Sequence, residues 1–362
     1  MSLEQLPDEL LLIICSYLNQ YEILLAFTGL NNRFDQTIRE FMQKIDINDI
    51  LFNEFVTYYK VIFPSIGTHV LSLTISNVRM VEILLLNAQI NFVKLFSNLK
   101  YLSFNYCDND KSDENFYMLT HEADLSKLTR LKRLKYLTEL YIYFESINDI
   151  HKPIFINNIF HRKSKQLEKI VLQSSDSLFE FDIQVPICSH IRDLTIPLKS
   201  IDDLLMLCDS IPYVERLDVR IEWTLRVNIF HLQGLNLPNL TELHLRFLSS
   251  KKTKSLESEM FHFQEFYCLI KTLKSLQTLL IDIEQQYNEQ YIDGTQWKQL
   301  LTYFAKLDKF VLSIKICWPF DFKFIVESFR LGFISDDKWN FLEFNDIIRK
   351  HAHLTLRSKL NH

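Results

Sequence analysis

Glycine is scarce in this chain: 5 in 362 residues, at positions 29, 67, 234, 294 and 332. No two lie close enough to build a phosphate-cradling GxGxxG or P-loop turn, so a glycine-rich nucleotide site is excluded. Long hydrophobic runs are missing as well. No apolar stretch reaches the roughly 18 residues of a membrane-spanning helix. The 6 cysteines stand singly at 15, 107, 188, 208, 268 and 317, with no CxxC pair. They read as buried thiols of a reducing compartment, cytoplasm or nucleus, rather than as a disulfide framework or zinc site. Neither sign of charge dominates: Lys+Arg 40 against Asp+Glu 45 leaves a net −5, which gives no global pull towards nucleic acid. Neither H-E-x-x-H nor G-x-S-x-G occurs. Cys188-x-His190 and His351-x-His353 come nearest to metal-ligand spacing, but each lacks a second pair and reads as structural. The expectation is a chain with no catalytic centre, no metal and no cofactor.

What the chain does have is a repeat. One pattern recurs: apolar, two residues, apolar, one residue, apolar. The copies are Val70-Leu73-Ile75, Leu99-Leu102-Phe104, Leu137-Leu140-Ile142, Leu167-Ile170-Leu172 and Ile191-Leu194-Ile196. Val214-Leu217-Val219, Leu240-Leu243-Leu245, Leu276-Leu279-Ile281 and Leu307-Phe310-Leu312 complete the series. The first apolar residue moves from 70 to 307 in eight steps of about 30 residues. The period-two ending predicts a short strand with one face inward. Between strands there is room for a loop and a helix, as in 201–211, 261–273 and 296–305, where apolar residues fall at helical spacing. Units of this size cannot bury their apolar faces alone. Stacking them predicts a solenoid with a curved parallel sheet on its concave side and helices on the convex side. The competing architecture is a doubly wound α/β domain, whose strands are usually longer and whose ligand sites usually carry a Gly-rich turn.

Other segments place the ends and insertions. Residues 44–47 predict a capping strand, followed by a helix over 50–62 that stops at Pro64. Residues 108–116 and 249–258 are polar insertions. Residues 336–362 lack the strand pattern, and Trp339, Phe341, Leu342 and Ile347 suggest a final helix over the last repeat. Lys127, Arg130, Lys132, Arg133 and Lys135 interleave with Leu128, Leu131 and Leu134, the solvated side of an amphipathic helix. On the strands, the residues alternating with the inward positions should face outward. Tyr101, Tyr141, Tyr143, Arg216, Asp218, Arg220, His244 and Arg246 form that set, and Tyr and Arg are the types enriched in binding hot spots.

Residues 6–34 read LPDELLLIICSYLNQYEILLAFTGLNNRF. Pro7, Asp8 and Glu9 suit a helix start, with Pro at the first helical position. Leu10, Ile13, Ile14 and Tyr17 make one apolar stripe. A second short helix carries Ile23, Leu24 and Phe27 and ends at Gly29; a third starts near Asn31 or Asn32 and carries Phe34, Ile38 and Phe41. The acidic flank argues against a signal peptide. An ordinary helical cap on a larger domain has the same stripe and caps.

This segment resembles an F-box, through Leu6-Pro7, Glu9-Leu10, Ile14, Tyr17-Leu18, Glu22-Ile23-Leu24 and Arg33-Phe34. The family's frequent Cys near the end is replaced by Asn31 and Asn32. The repeats resemble the leucine-rich repeats often attached to F-boxes. They depart from the tidy pattern, since Cys107 alone meets the Asn or Cys position of the repeat. The resemblance implies three parts: an F-box over 1–43, an irregular solenoid over 44–335 and a C-terminal cap or tail over 336–362. It implies docking on a Skp-type adaptor, and through it a cullin scaffold, by Leu6, Pro7, Leu10, Ile14, Leu18, Leu24 and Phe34. It further implies that the solenoid holds a protein target for a ubiquitin ligase. An adaptor-bound scaffold that directs no ubiquitination is the alternative.

Overall fold

Leu73, Leu102, Leu140 and Ile170, the second apolar residue of four successive repeats, sit side by side at matched positions of parallel strands. Side chains alternate between sheet faces, so the third apolar residue of each repeat falls on the same face. Ile75, Phe104, Ile142 and Leu172 form that adjoining row, and both rows are buried. The computed structural model describes residues 5–48, 50–77, 80, 81, 83, 84, 91–106, 131, 133–144, 159, 160, 166–174, 178–181, 187–222, 234–248, 263–286, 293–316, 327–329, 333, 339–347 and 351–358. The polar insertions expected at 108–116 and 249–258 lie outside them. The chain divides into two compact units, 1–176 and 177–362, each α/β with a parallel sheet.

In the first unit β1 (Lys44–Asp46), β2 (Ser72–Ile75), β3 (Tyr101–Tyr106), β4 (Glu139–Phe144) and β5 (Lys169–Ser174) pair in sequence order, all parallel. The helices before β1 are α1 (Asp8–Cys15), α2 (Gln20–Phe27), α3 (Asn32–Thr37) and α4 (Arg39–Gln43). Pro7 stands one position outside α1, and its carbonyl accepts from the Leu10 and Leu11 N–H groups. Asn19 starts α2 through a reciprocal pair: its side chain accepts from Glu22 N–H at 2.9 Å, and its own N–H donates to the Glu22 carboxylate at 2.9 Å. Gly29, at φ 75, turns the chain after α2 in a conformation that few other residues adopt. Asn31 caps α3, accepting from Arg33 and Phe34 N–H. The third helix expected from the sequence is two, because the backbone leaves helical geometry at Ile38.

The boundary expected at 43/44 falls inside this unit. The Gln20 side-chain amide donates to the carbonyls of Phe41 and Lys44 and accepts from Asp46 N–H, so α2 is tied to β1. The helix beyond β1 does not stop at Pro64. It runs as α5 (Phe52–Thr57), a π-helical turn over Tyr58–Ile62, and α6 (Phe63–Ile66), with Pro64 in the first turn of α6. The wider turn resets the hydrogen-bond pattern just before the residue that cannot donate. A short α7 (Phe92–Leu95) precedes β3.

In the second unit β6 (Asp193–Leu198), β7 (Arg216–Glu222), β8 (Glu242–Leu248), β9 (Thr278–Gln286) and β10 (Lys309–Ile316) are parallel and in sequence order. Their connections carry α8 (Ile201–Ser210), α9 (Phe263–Ile270) and α10 (Gly294–Leu301), at the three places the helical spacing predicts. Trp297 on α10 is fully buried, with ring centroids of Phe263, Phe266 and Phe310 within 5.0, 5.7 and 5.5 Å. At its first residue, Gly294, the helix passes close to another segment: a Cβ there would come within 2.5 Å of the Phe329 Cα. The final helix expected over 336–362 is not formed. Instead β11 (Trp339–Ile347) and β12 (His351–Ser358) pair antiparallel, and β12 pairs antiparallel with β10. An added strand satisfies the outer hydrogen-bonding groups of β10, which a helix cannot do.

One backbone oxygen per repeat links neighbours. In the first unit the Leu71 carbonyl accepts from the N–H groups of Lys100 and Tyr101, Lys100 from Thr138 and Glu139, and Thr138 from Glu168 and Lys169. In the second, Arg192 accepts from Glu215 and Arg216, Glu215 from Thr241 and Glu242, Thr241 from Gln277 and Thr278, and Gln277 from Asp308 and Lys309. The acceptor always follows the first apolar residue of its repeat. These two-donor carbonyls satisfy the backbone N–H groups at the strand starts.

Leu245→Ala removes a buried side chain from the middle of the second unit and should cost about 2–5 kcal/mol. Exposed Glu242→Ala on the same strand should cost no more than about 0.5 kcal/mol. Urea unfolding of both variants beside the wild type checks the difference.

Candidate functional site

Helix α1 has two apolar sides. Leu11 and Cys15, four residues apart, are buried. On the other side Leu10 and Ile13, with Tyr17 just beyond the helix end, face solvent at 45, 53 and 85% exposure. Leu12, Leu25 on α2 and Leu30 after it are about half exposed too. The stripe seen in the sequence is therefore the outer face of α1. Two short helices cannot enclose all their leucines, and exposed apolar side chains gathered at one place suit a partner surface. Of the seven residues expected to dock, Pro7 and Leu10 are exposed, and Leu6, Ile14 and Leu18 are partly so. Leu24 and Phe34 are enclosed at 0 and 2%. They are the inside of the segment, with Phe34 packed on Phe27 at 5.7 Å between centroids.

The two ends of the motif are clasped. Arg33 on α3 meets the Asp8 carboxylate at 2.7 Å, and its guanidinium also donates to the Leu6 carbonyl. Thr37 donates to the same Asp8 oxygen. This pins the Leu6-Pro7 turn against α3 and so fixes which way α1 presents its outer face.

On the sheet of the first unit, Tyr101 and Tyr141 stack obliquely on adjacent strands, 4.9 Å between centroids. The Tyr141 hydroxyl donates to Glu139 at 2.9 Å, and the Lys169 ammonium lies 5.5 Å from its ring centre. Burial pushes both tyrosine hydroxyls up from their ordinary pKa, so they stay neutral donors. Tyr143 is half-buried, two residues along β4. The patch is aromatic, with one acid and one base against Tyr141.

On the sheet of the second unit, register builds two mixed rows. Thr195, Asp218, His244 and Leu280 align across β6 to β9, and beside them Pro197, Arg220, Arg246 and Asp282. Arg246 donates to Asp218 at 2.8 Å. The His244 Nε2 lies 2.8 Å from the Asp282 carboxylate and Nδ1 lies 3.5 Å from Asp218. Arg246 Nε also approaches Nε2 at 3.3 Å, but a nitrogen that donates to Asp282 cannot accept, so this is a packing contact. Burial lowers the His244 pKa; the Asp218 and Asp282 carboxylates outweigh it, with Arg246 opposing them, and the value rises to about 9. Near neutral pH the ring is an imidazolium between two carboxylates. Arg216 pairs with Asp193 at 2.8 Å.

All eight strand residues singled out from the sequence lie on strands at non-core positions, three in the first unit and five in the second. Sequence reasoning missed Asp282, Asp193, Glu139 and Lys169. Asp282 was legible, because it stands six residues after the first apolar residue of its repeat, as Arg220 and Arg246 do. Cys15, Cys188 and Cys208 are buried thiols, and burial pushes all three up, Cys188 to about 11. Among the described residues no group of His, Cys, Asp and Glu could hold a metal ion, and no helix is long and apolar enough to cross a membrane. The chain matches no protein-family model and no curated protein.

The His244 proton binds more tightly in the folded state than its ordinary value of 6.5. The ion pairs therefore stabilise fully below about pH 6.5, and that contribution is lost as pH rises through about 9. Urea unfolding at stepped pH should show the wild type losing on the order of 1–3 kcal/mol across that window. His244→Gln should flatten the profile.

Proposed function

We propose that this chain is an F-box protein with leucine-rich repeats, the non-catalytic substrate receptor of a Skp–cullin–F-box ubiquitin ligase. The observation that carries the reading is the exposed apolar outer face of α1, with Leu10, Ile13 and Tyr17 held out by the Asp8–Arg33 clasp. It coincides with the segment whose residues resemble an F-box. The parallel α/β repeats of each unit support a leucine-rich-repeat solenoid. In this reading the outer face packs on the adaptor, whose partner is the cullin scaffold. The strand faces, with Tyr101, Tyr141 and Tyr143 in one unit and Arg216, Asp218, Arg220, His244 and Arg246 in the other, hold the target protein. The chemistry belongs to the other subunits, and this chain supplies proximity between target and charged ubiquitin-conjugating enzyme. The compartment is cytoplasm or nucleus, where such ligases work.

The test is a pull-down with a Skp-type adaptor. Wild type should capture it, and Ile13→Asp/Tyr17→Asp should bind about tenfold more weakly or worse, since each change sets a charge on an apolar contact. Both positions are exposed, so thermal unfolding should be unchanged. Undiminished capture by the double variant would move the docking face elsewhere, and no capture by wild type would end the F-box reading.

A further inference from the structure

Four cations elsewhere in the two units are matched with acids. Arg33 meets Asp8, Lys199 meets Glu180, Arg216 meets Asp193 and Arg246 meets Asp218. The starts of the strands in the first unit are different. A cleft of about 610 Å³ opens there, lined by Arg39, His69, Lys100 and Tyr136, together with Gln43 and Asn98. No described carboxylate lines it. Arg39, His69 and Lys100 are exposed and have no ion-pair partner among the described residues. Glu139, at the start of β4, is engaged by the Tyr141 hydroxyl.

The spacing says more than the sign. Arg39 opens the helix that leads into β1, His69 ends the turn before β2, and Lys100 immediately precedes β3. Arg133 and Lys135, both exposed, lie just before Tyr136 and β4. The approaches to β1, β3 and β4 thus each carry at least one cation, and the approach to β2 carries His69. Neighbouring strands lie about 4.8 Å apart, so cations on the approaches to three different strands are spread out rather than gathered at a single focus. The set is preorganised, because Lys100 belongs to the shared-carbonyl linkage and the Asn98 amide donates to the Thr68 carbonyl at 2.7 Å. A spread of single cations matches single anions spaced along an extended chain. It matches one concentrated dianion poorly, and a duplex nucleic acid, which takes about 6–10 phosphate contacts, would find too few.

We infer that this cleft binds an acidic, extended segment of a partner polypeptide, with Asp or Glu carboxylates meeting Arg39, Lys100 and the Arg133–Lys135 margin. Tyr136 and Gln43 supply neutral hydrogen-bond donors between the charges. The inference stands apart from adaptor docking, which uses the outer face of α1.

Fluorescence anisotropy of the full-length chain with a labelled oligo-glutamate peptide tests it. Saturable binding that weakens with added salt is expected. Arg39→Gln/Lys100→Gln should bind about tenfold more weakly with unchanged thermal unfolding, and Lys271→Gln, a cation of the second unit, should bind as wild type does. Absence of saturable binding, or equal affinity in the double variant, overturns the inference. Tighter binding of single-stranded RNA through the same two residues overturns it in favour of nucleic acid. Displacement of the peptide by low concentrations of inorganic phosphate overturns it in favour of a single-anion site. Retained adaptor capture by the double variant is expected and keeps the two sites separate.

Discussion

In both units one backbone carbonyl per repeat, placed just after the first apolar residue, accepts two N–H groups from the next repeat. Everything else in each sheet follows from that linkage. It sets neighbouring strands to start level, and a strand that starts level stacks its second and third apolar residues on those of the repeat before. A slip of one residue would turn every core side chain outward. The constraint touches only the strand starts, so the connections can differ widely in length. Steps of 23 to 38 residues between repeats are compatible with one register for this reason. It is also a main-chain interaction and needs no particular side chain. It therefore tolerates wide variation in the side chains at the strand starts.

The apolar spacing was enough to place every repeat strand, because a period-two ending behind a buried residue has few other solutions. The full pattern is longer than it first looks. Phe96, Leu134, Ile211, Leu237, Leu273 and Phe304 stand three residues before the first apolar residue, and all are buried. In several repeats the carbonyl at this position closes a turn onto the first apolar N–H. Other features were beyond a local reading. The π-helical turn before Pro64 depends on hydrogen bonds that no spacing rule encodes. The last strands were partly legible, since His353-Leu354-Thr355-Leu356-Arg357 alternates, but aromatic residues at 339 and 341 suggested a helix. The sidedness of α1 was the hardest case. Leu10, Ile13 and Tyr17 make as good a stripe as Leu11, Cys15 and Leu18, and only packing chooses which one turns inward.

The charged groups divide in the same way into determined and undetermined. Strand register brings Asp218, His244, Arg246 and Asp282 together, because parallel strands align equal offsets from the first apolar residue. Once that rule is known, the cluster can be read from four residue identities. The ionisation of His244 is different. It depends on a contest between burial and two carboxylates, which only the distances decide.

The pairing of acids with bases on the second unit's strand face also has a kinetic meaning. Alternating charges a few ångströms apart cancel beyond about one Debye length, roughly 8–10 Å in physiological salt. A molecule approaching from farther away meets almost no field from this face, so nothing draws it in or turns it as it diffuses. A partner docking there would associate by collision and shape, at the ordinary rates of unsteered docking, with little change with ionic strength. Discrimination would come on contact, where a partner competes with the hydrogen bonds the face makes to itself.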